Sequence, residues 1–248
     1  RQRQMCIRDS YGVVAHFPKS AYAGFLLKKE IEALNQIVES PKKPFVAIVG
    51  GAKISDKIKI VEKLLISVDQ LLIGGAMAYA FLKAKDHKVG KSLCSDEDVK
   101  LAKKMLNTPA AQKIVLPMDH IVSDDLNGEP LTTQEADISD ELMGLDIGPK
   151  TLTQFQACLK SAKTVLWNGP MGLAENPNFA QGTNSIAKTL AELDGAFTLV
   201  GGGDSVSAVV KTGVGNKLSH ISTGGGASLE YIEEGTLPGI TALKFGVN

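Results

Sequence analysis

The stretch FVAIVGGAKISDKIKIVEKLLIS, residues 45–67, decides the fold class of this 248-residue chain. Its first five residues are all apolar, and Gly50 and Gly51 interrupt them. An apolar run without polar alternation indicates a strand that is buried on both faces. The apolar residues that follow recur at the spacing of one helix face: Ile54, Ile58, Val61 and Leu65. The stretch therefore predicts a buried strand, a glycine turn and a helix.

The same unit recurs along the chain, with strands predicted at residues 71–73, 164–167, 197–200 and 220–222. A glycine cluster follows each strand. Short apolar strands separated by helices indicate a parallel sheet covered on both faces. The predicted fold class is α/β, a Rossmann-like, doubly wound parallel sheet with helices on both faces. Residues 117–150 are predicted to be a loop or hairpin at the sheet edge, without a second core.

The composition excludes several classes of protein. Lys and Arg number 27, as do Asp and Glu, so no net field attracts nucleic acid or an anionic membrane. The apolar runs are too short for a membrane helix, and the N-terminus lacks the core of a signal peptide. Three distant cysteines do not indicate a disulfide framework or a zinc site. We expect a cytoplasmic monomer with no nucleic-acid or membrane partner.

The glycine clusters predict where a ligand would bind. In a doubly wound sheet the ligand crevice lies outside the carboxyl ends of the strands, and all the clusters fall there. Helix N-termini at such turns bind anions. A single glycine pair is equally consistent with a tight turn, but the triple glycines at 201–203 and 224–226 favour binding. The spacing fits neither a Walker A loop nor G-x-G-x-x-G.

Several polar residues near these turns are candidates for chemistry. Lys53 and Lys57 are four residues apart, so we expect them on one face of the predicted helix. Asp204 follows a triple glycine and suits either a helix cap or a magnesium ion. Glu175 suits a ribose contact or a solvated surface. The four histidines lack metal-site spacing and are predicted to be structural or surface residues: His16, His87, His120 and His220.

Five blocks in order resemble the signature blocks of the phosphoglycerate kinase family. They are VGGAKISDK (49–57), GGAM (74–77), LWNGPMG (166–172), GGGDS (201–205) and STGGGAS (222–228). The resemblance covers about residues 11–248 and corresponds to the C-terminal, nucleotide-binding lobe of that family. It implies residues 11–40 as the interlobe connector and helix, and residues 41–248 as the nucleotide-binding domain. Residues 1–10 are predicted to be a non-native scar.

The resemblance also implies roles for single residues. Lys53 would neutralise the transferred phosphoryl group, with the Gly203 and Gly226 amides beside it, and Asp204 would hold magnesium. The nucleotide, ADP or ATP with Mg²⁺, would be bound by a further set: Gly51, Ala52, Lys57, Gly75, Leu145, Asn168, Pro170, Leu173, Glu175, Gly202, Ser205 and Gly225.

The function implied is reversible phosphoryl transfer between 1,3-bisphosphoglycerate and ADP, giving 3-phosphoglycerate and ATP. The N-terminal lobe that would bind the phosphoglycerate is predicted to be absent, so we expect this chain alone to be inactive. Two alternatives stay open: a standalone nucleotide-binding module without catalysis, and a dehydrogenase with a Rossmann fold.

Overall fold

The computed structural model describes residues 22–245 of the chain. These residues form two compact units. The larger unit comprises residues 41–222, and the smaller combines residues 22–40 with residues 223–245. Within the described range, no helix is long and apolar enough to cross a bilayer.

The strands all lie in the larger unit. In chain order they are β1 (Phe45–Val49), β2 (Gln70–Ile73), β3 (Ile114–Val115), β4 (His120–Ser123), β5 (Leu131–Thr132), β6 (Met143–Ile147), β7 (Thr164–Asn168), β8 (Phe197–Gly201) and β9 (His220–Ile221).

Helices connect most of these strands. In chain order they are α1 (Phe25–Val38), α2 (Ile58–Ser67), α3 (Met77–Ala84), α4 (Asp96–Leu106), α5 (Pro149–Lys160), α6 (Gln181–Ala191), α7 (Gly203–Thr212), α8 (Gly226–Glu234) and α9 (Pro238–Phe245), with 3-10 turns at Pro109–Lys113, Pro177–Phe179 and Gly215–Lys217. Helices α1, α8 and α9 belong to the smaller unit.

The main sheet has six parallel strands in the order β3-β2-β1-β7-β8-β9. The chain adds β2 and then β3 on one side of β1. It then returns to β7, on the other side of β1, and adds β8 and β9 beyond it. Because such crossovers are right-handed, the two directions place their helices on opposite faces. The predicted doubly wound α/β fold is confirmed. The strand order reverses between β1 and β7, and we call that position the switch point.

Strand burial explains the sequence pattern. All five residues of β1 are fully buried, and its register runs from Phe45 opposite Thr164 to Val49 opposite Asn168. Trp167 on β7 and Phe155 on α5 are also fully buried in the main core. Each such side chain contributes roughly 1.5 to 3 kcal/mol by leaving water. An unpaired polar residue in these strands would forfeit that energy, so the runs are mostly apolar, and the buried hydroxyls of Thr164 and Thr198 are hydrogen-bonded.

A second, three-stranded sheet with order β5-β4-β6 is antiparallel and lies within residues 117–150. It has its own buried cluster, formed by Tyr79, Leu82, Val89, Val122 and Ile138. The expectation of no second core in this region is therefore wrong. Its members come from several separated elements, so no local run in the sequence displays them together.

The start of α2 also differs from expectation. The helix begins at Ile58, with Lys57 as its N-cap residue, so Lys53 lies outside it in a turn. The prediction that Lys53 and Lys57 share a helix face is wrong. The Ser55 amide donates instead to Asp98 Oδ1 at 3.0 Å, and Ile54 is fully buried. These contacts hold residues 51–57 as a separate turn.

In the smaller unit, α1 packs beside α8. The Glu30 carboxylate, 8% exposed, accepts hydrogen bonds from the Ser228 hydroxyl at 3.2 Å and the Thr223 amide at 3.4 Å. The Tyr231 hydroxyl donates to Asn35 Oδ1 at 2.5 Å. The helix expected within residues 11–40 is observed as Phe25–Val38, and residues 11–21 lie outside the described range.

Candidate functional site

Lys57 occupies the switch point. Its ammonium group donates to the Gly50 carbonyl at 2.7 Å and to Asn168 Oδ1 at 2.6 Å, with a longer contact to the Asn168 carbonyl at 3.3 Å. Gly50 follows β1 and Asn168 ends β7, so one side chain joins the two central strands at their carboxyl ends. A cation therefore sits where a doubly wound sheet binds its ligand.

Burial lowers the pKa of Lys57 to about 8, while the carboxylates of Asp204 and Asp56 act in the opposite direction. Asp204 lies in the first turn of α7, so a negative charge from that helix acts on the ammonium. At neutral pH the ammonium is charged and only partly neutralised. It can therefore attract an anion.

Asn168 carries an unused hydrogen-bond donor. The residue is 3% exposed, and its Nδ2 atom is buried without a partner within the described part of the chain. Its orientation follows from Lys57, because an ammonium only donates and must therefore face the amide oxygen. Nδ2 faces Gly202, where a Cβ atom would lie 2.9 Å from it. A buried donor without a partner is costly unless a ligand supplies the acceptor.

Helix α7 begins beside this donor. Gly202 is its N-cap residue, with φ of +88°, a conformation that favours glycine. The first amides of any helix lack partners within the helix and carry partial positive charge, so Gly203 and the residues after it present an anion-binding end. Asp204 is exposed. The Ser205 hydroxyl is fully buried and accepts a hydrogen bond from the Gly169 amide at 2.7 Å.

Three glycine turns contact one another at the switch point. The Gly75 amide donates to the Met171 carbonyl at 2.9 Å, and the Met77 amide donates to the Gly51 carbonyl at 2.9 Å. Gly75 has φ of +64°, and a Cβ there would lie 2.5 Å from the Gly51 nitrogen and 2.9 Å from the Pro170 oxygen. The turns after β1, β2 and β7 are thus packed backbone against backbone.

Pro170 and Leu173, in the loop after β7, and Leu145, on β6, are apolar residues near these turns, and we call this set the nucleoside wall. The Leu173 amide donates to the Leu145 carbonyl at 2.7 Å. Leu145 is 9% exposed, and Leu173 and Pro170 are half-buried. Glu175, two residues beyond Leu173, is exposed. Pro170 lies two residues beyond Asn168, so the apolar set begins close to the Lys57 ammonium.

The remaining predicted residues are placed separately. Ala52 and Lys53 are exposed in the turn before α2. Gly225, with φ of +55°, is the N-cap residue of α8, and Gly226 begins that helix in the smaller unit. The larger unit thus brings together Gly51, Lys57, Gly75, Leu145, Asn168, Pro170, Leu173, Gly202, Gly203, Asp204 and Ser205.

Asp204 suits a magnesium ion whose other ligands are phosphate oxygens and waters. Within residues 22–245, no group of three or more His, Cys, Asp or Glu side chains could hold a metal. Mg²⁺ needs only one or two carboxylates when phosphate oxygens and waters complete its shell. A single exposed carboxylate at the α7 N-terminus suits that kind of coordination.

Asp146, on β6 beside Leu145, is a buried polar residue that was not among those predicted from the sequence. Its carboxyl group is 1% exposed, and burial raises its pKa to about 7 although the Gly182 and Ile147 amides donate to it. A lone Asp in the apolar strand MGLDI was the signal that could have indicated it.

Comparison with known proteins decides the family. A sequence model described as phosphoglycerate kinase matches residues 7–235. The chain belongs to the phosphoglycerate kinase family. The phosphoglycerate kinase of Latilactobacillus sakei subsp. sakei (strain 23K) is 53% identical over 227 residues, covering 91% of this chain and 56% of that protein. That of Clostridium novyi (strain NT) is 51% identical over 235 residues, covering 93% and 59%.

Solved structures agree. A phosphoglycerate kinase from Coxiella burnetii matches with a TM-score of 0.88 and 40% identity, over 94% of this chain and 61% of that one. One from Pyrococcus horikoshii OT3 gives 0.83 and 33%, over 95% and 60%. The predicted family is confirmed. The chain spans somewhat under two thirds of the length of these relatives, and the predicted residue roles and domain boundaries stay predictions.

Proposed function

We propose that this chain supplies the magnesium-nucleotide site of a phosphoglycerate kinase. The reaction is reversible phosphoryl transfer between 1,3-bisphosphoglycerate and ADP, giving 3-phosphoglycerate and ATP. One observation carries the assignment of the site: the unpartnered Asn168 Nδ2 donor, buried between the Lys57 ammonium and the α7 N-terminus. Cationic and N–H groups converging at a switch point suit the phosphates of a nucleotide.

Different residues of the site would contact different parts of the nucleotide. Lys57, Asn168 and the amides of Gly202 and Gly203 would contact phosphate oxygens, with Ser205 fixing the adjacent Gly169 turn. The nucleoside wall and the glycine turns at Gly51, Ala52 and Gly75 would hold adenosine, and Glu175 the ribose. Lys53 is exposed and free to extend toward the transferred phosphoryl group. The roles of Gly225 and Gly226, at the start of α8 in the smaller unit, stay predictions from the family resemblance.

This chemistry needs no general base. The acceptor is a carboxylate with a pKa of about 4, so it is already ionised at neutral pH. Catalysis then rests on positioning and on neutralising charge as the phosphoryl group moves. Mg²⁺, held by Asp204 and the nucleotide, would supply further charge neutralisation on the phosphate oxygens. The phosphoglycerate site would lie in the region of the relatives that this chain does not span.

Asn168→Asp tests the site. The new carboxylate has the same shape and can still accept from Lys57, so a purely structural Asn168 would tolerate it or become more stable. A phosphate site would instead lose a donor and gain a negative charge. We expect magnesium-ADP binding, measured by calorimetry, to weaken by more than about tenfold. Unchanged ADP affinity would overturn the assignment.

A standalone nucleotide-binding module without catalysis is a second candidate, because the proposed phosphate contacts Lys57 and Asn168 are joined within the larger unit itself. Lys53→Ala discriminates between the two. In a protein joined to an N-terminal lobe from a relative, the kinase proposal predicts a loss of kcat of roughly a hundredfold or more with a small change in KM. A binding module predicts a change in affinity alone.

Binding of ADP without binding of nicotinamide dinucleotide would remove the dehydrogenase alternative.

A further inference from the structure

The buried carboxyl group of Asp146 joins two segments of the larger unit. Oδ2 accepts a hydrogen bond from the Gly182 amide at 2.7 Å, and Oδ1 accepts one from the Ile147 amide at 2.9 Å. Gly182 lies in the first turn of α6, whose own N-cap residue, Ala180, has no side-chain cap. Asp146 therefore caps α6 from a neighbouring strand.

The same carboxyl group touches the loop between β7 and α6, residues 169–180. A Cβ atom at Gly172 would lie 2.4 Å from Asp146 Oδ1, and a Cβ at Gly182 would lie at the same distance from that oxygen. Any side chain at either position would displace the carboxyl group. Asp146 thus fits between the loop and the helix that follows it.

Two further hydrogen bonds surround this contact. The Leu173 amide donates to the Leu145 carbonyl at 2.7 Å, next to Asp146 on β6. The Met171 amide donates to the fully buried Thr183 hydroxyl at 3.0 Å, next to Gly182 on α6. Residues 171–173 are therefore held between β6 and α6, with Asp146 at the centre. This segment contains Leu173 of the nucleoside wall.

We infer that Asp146 is a positioning residue for the nucleoside wall: it fixes Gly172 and Gly182 so that Leu173 lies against Leu145. The inference rests on the proposed nucleotide site. It does not involve the phosphate-binding side, which Lys57, Asn168 and α7 form on other strands. Loss of Asp146 should consequently weaken recognition of the nucleoside and spare recognition of phosphate.

Asp119 provides a matched control. It is fully buried directly before β4, which belongs to the same small sheet as β6, and it caps α5 by accepting from the amides of Lys150 at 2.9 Å and Thr151 at 2.7 Å. The N-cap residue of α5, Gly148, also has no side chain to cap the helix. Asp119 thus performs the same structural task without contact to the nucleoside wall.

The test compares Asp146→Ala and Asp119→Ala in the 248-residue chain, with ADP and inorganic pyrophosphate as probes. We expect Asp146→Ala to raise the Kd for ADP about tenfold, the scale seen when groups that orient binding residues are lost. The Kd for pyrophosphate should change less than about twofold. Hydrogen exchange of peptides covering residues 170–182 should accelerate. Asp119→Ala should lower the unfolding midpoint similarly and leave the ADP affinity unchanged.

The outcomes separate the inference from the proposed function. If wild-type chain binds ADP but Asp146→Ala weakens ADP and pyrophosphate equally, or Asp119→Ala has the same effect, Asp146 is merely structural. If wild-type chain binds neither probe, the proposed function and this inference both fail. Should Asp146→Ala not fold, Asp146→Asn retains one acceptor oxygen, and the same selective loss of ADP binding is expected at smaller size. An unchanged ratio of the two Kd values in that variant overturns the inference.

Discussion

Lys57 is the residue whose charge controls the proposed phosphate site. Its ammonium is engaged by Gly50 and Asn168 and still faces the α7 N-terminus, where Asp204 contributes electrostatically. Burial makes this lysine easier to deprotonate than an ordinary surface lysine. The site therefore contains a cation that titrates within an accessible pH range.

This titration predicts a pH dependence of nucleotide binding. The pKa of Lys57 in the folded protein is about 8, so the charge is present at pH 7 and is lost as pH rises through 8. Phosphate binding raises that pKa, because it favours the charged form. The Kd for ADP should therefore increase from pH 7 to pH 9.5, and Lys57→Met should bind more weakly with a much flatter profile. Calorimetry over this range checks both. An equally steep profile in the variant would show that another group is responsible.

Gly75 illustrates how the backbone limits the choice of residue. In Gly75→Ala the new Cβ would lie 2.5 Å from the Gly51 nitrogen, and the alanine would have to adopt a positive φ. Overpacking and backbone strain together should cost about 2 to 4 kcal/mol. Gly195→Ala is the control, since φ is +66° there but nothing lies within 4 Å of a Cβ. It should cost about 1 kcal/mol. Urea unfolding measures both, and equal losses would contradict the close approach.

At the scale of elements, the sequence predicted the central strands to within one residue, because a strand buried on both faces is mostly apolar. It did not predict β3 or β5, which have two residues each and, unlike the equally short β9, are not followed by a glycine cluster. The separate turn before α2 was missed because the Ser55 amide donates to Asp98, 43 residues further along the chain. Asp146 was missed because its partner Gly182 lies on another element.

The α4 N-terminus gives an element-scale prediction. The Ser95 hydroxyl oxygen accepts from the Asp98 amide at 3.1 Å, and the hydroxyl donates to Asp98 Oδ2 at 2.6 Å. The same carboxylate holds the Ser55 turn. Ser95→Ala removes the cap and should destabilise the protein by about 1 kcal/mol. Ser207→Ala, at an exposed position inside α7, should stay within about 0.5 kcal/mol of wild type. Thermal unfolding compares the two, and equal midpoints would contradict the capping role.

At the scale of the whole molecule, two buried groups give the stability opposite dependences on pH. Burial lowers the pKa of His120 to about 4, and burial raises that of Asp146 to about 7. Because the unfolded chain protonates His120 more readily than the folded protein does, the free energy of unfolding decreases at pH values below 6.5. That part of the stability is lost as pH falls through 4. The cost of ionised Asp146 is present above pH 7 and is relieved as pH falls toward 4. The two effects oppose each other over the same range.

Two variants should therefore diverge in stability on acidification. Between pH 7 and pH 4, His120→Asn should gain unfolding free energy relative to wild type, because it removes a group whose protonation destabilises the fold. Asp146→Asn should lose free energy relative to wild type, because it removes a group whose protonation stabilises it. Each difference should approach about 3 to 4 kcal/mol. The folded and unfolded pKa values of each group lie roughly two to three pH units apart, and one pH unit corresponds to about 1.4 kcal/mol. Urea unfolding at pH 7, 5.5 and 4 measures both, and since the fixed cost of each substitution cancels between pH values, only the slopes decide. Slopes of the same sign would mean that one of the two groups does not titrate in the folded protein as its burial requires.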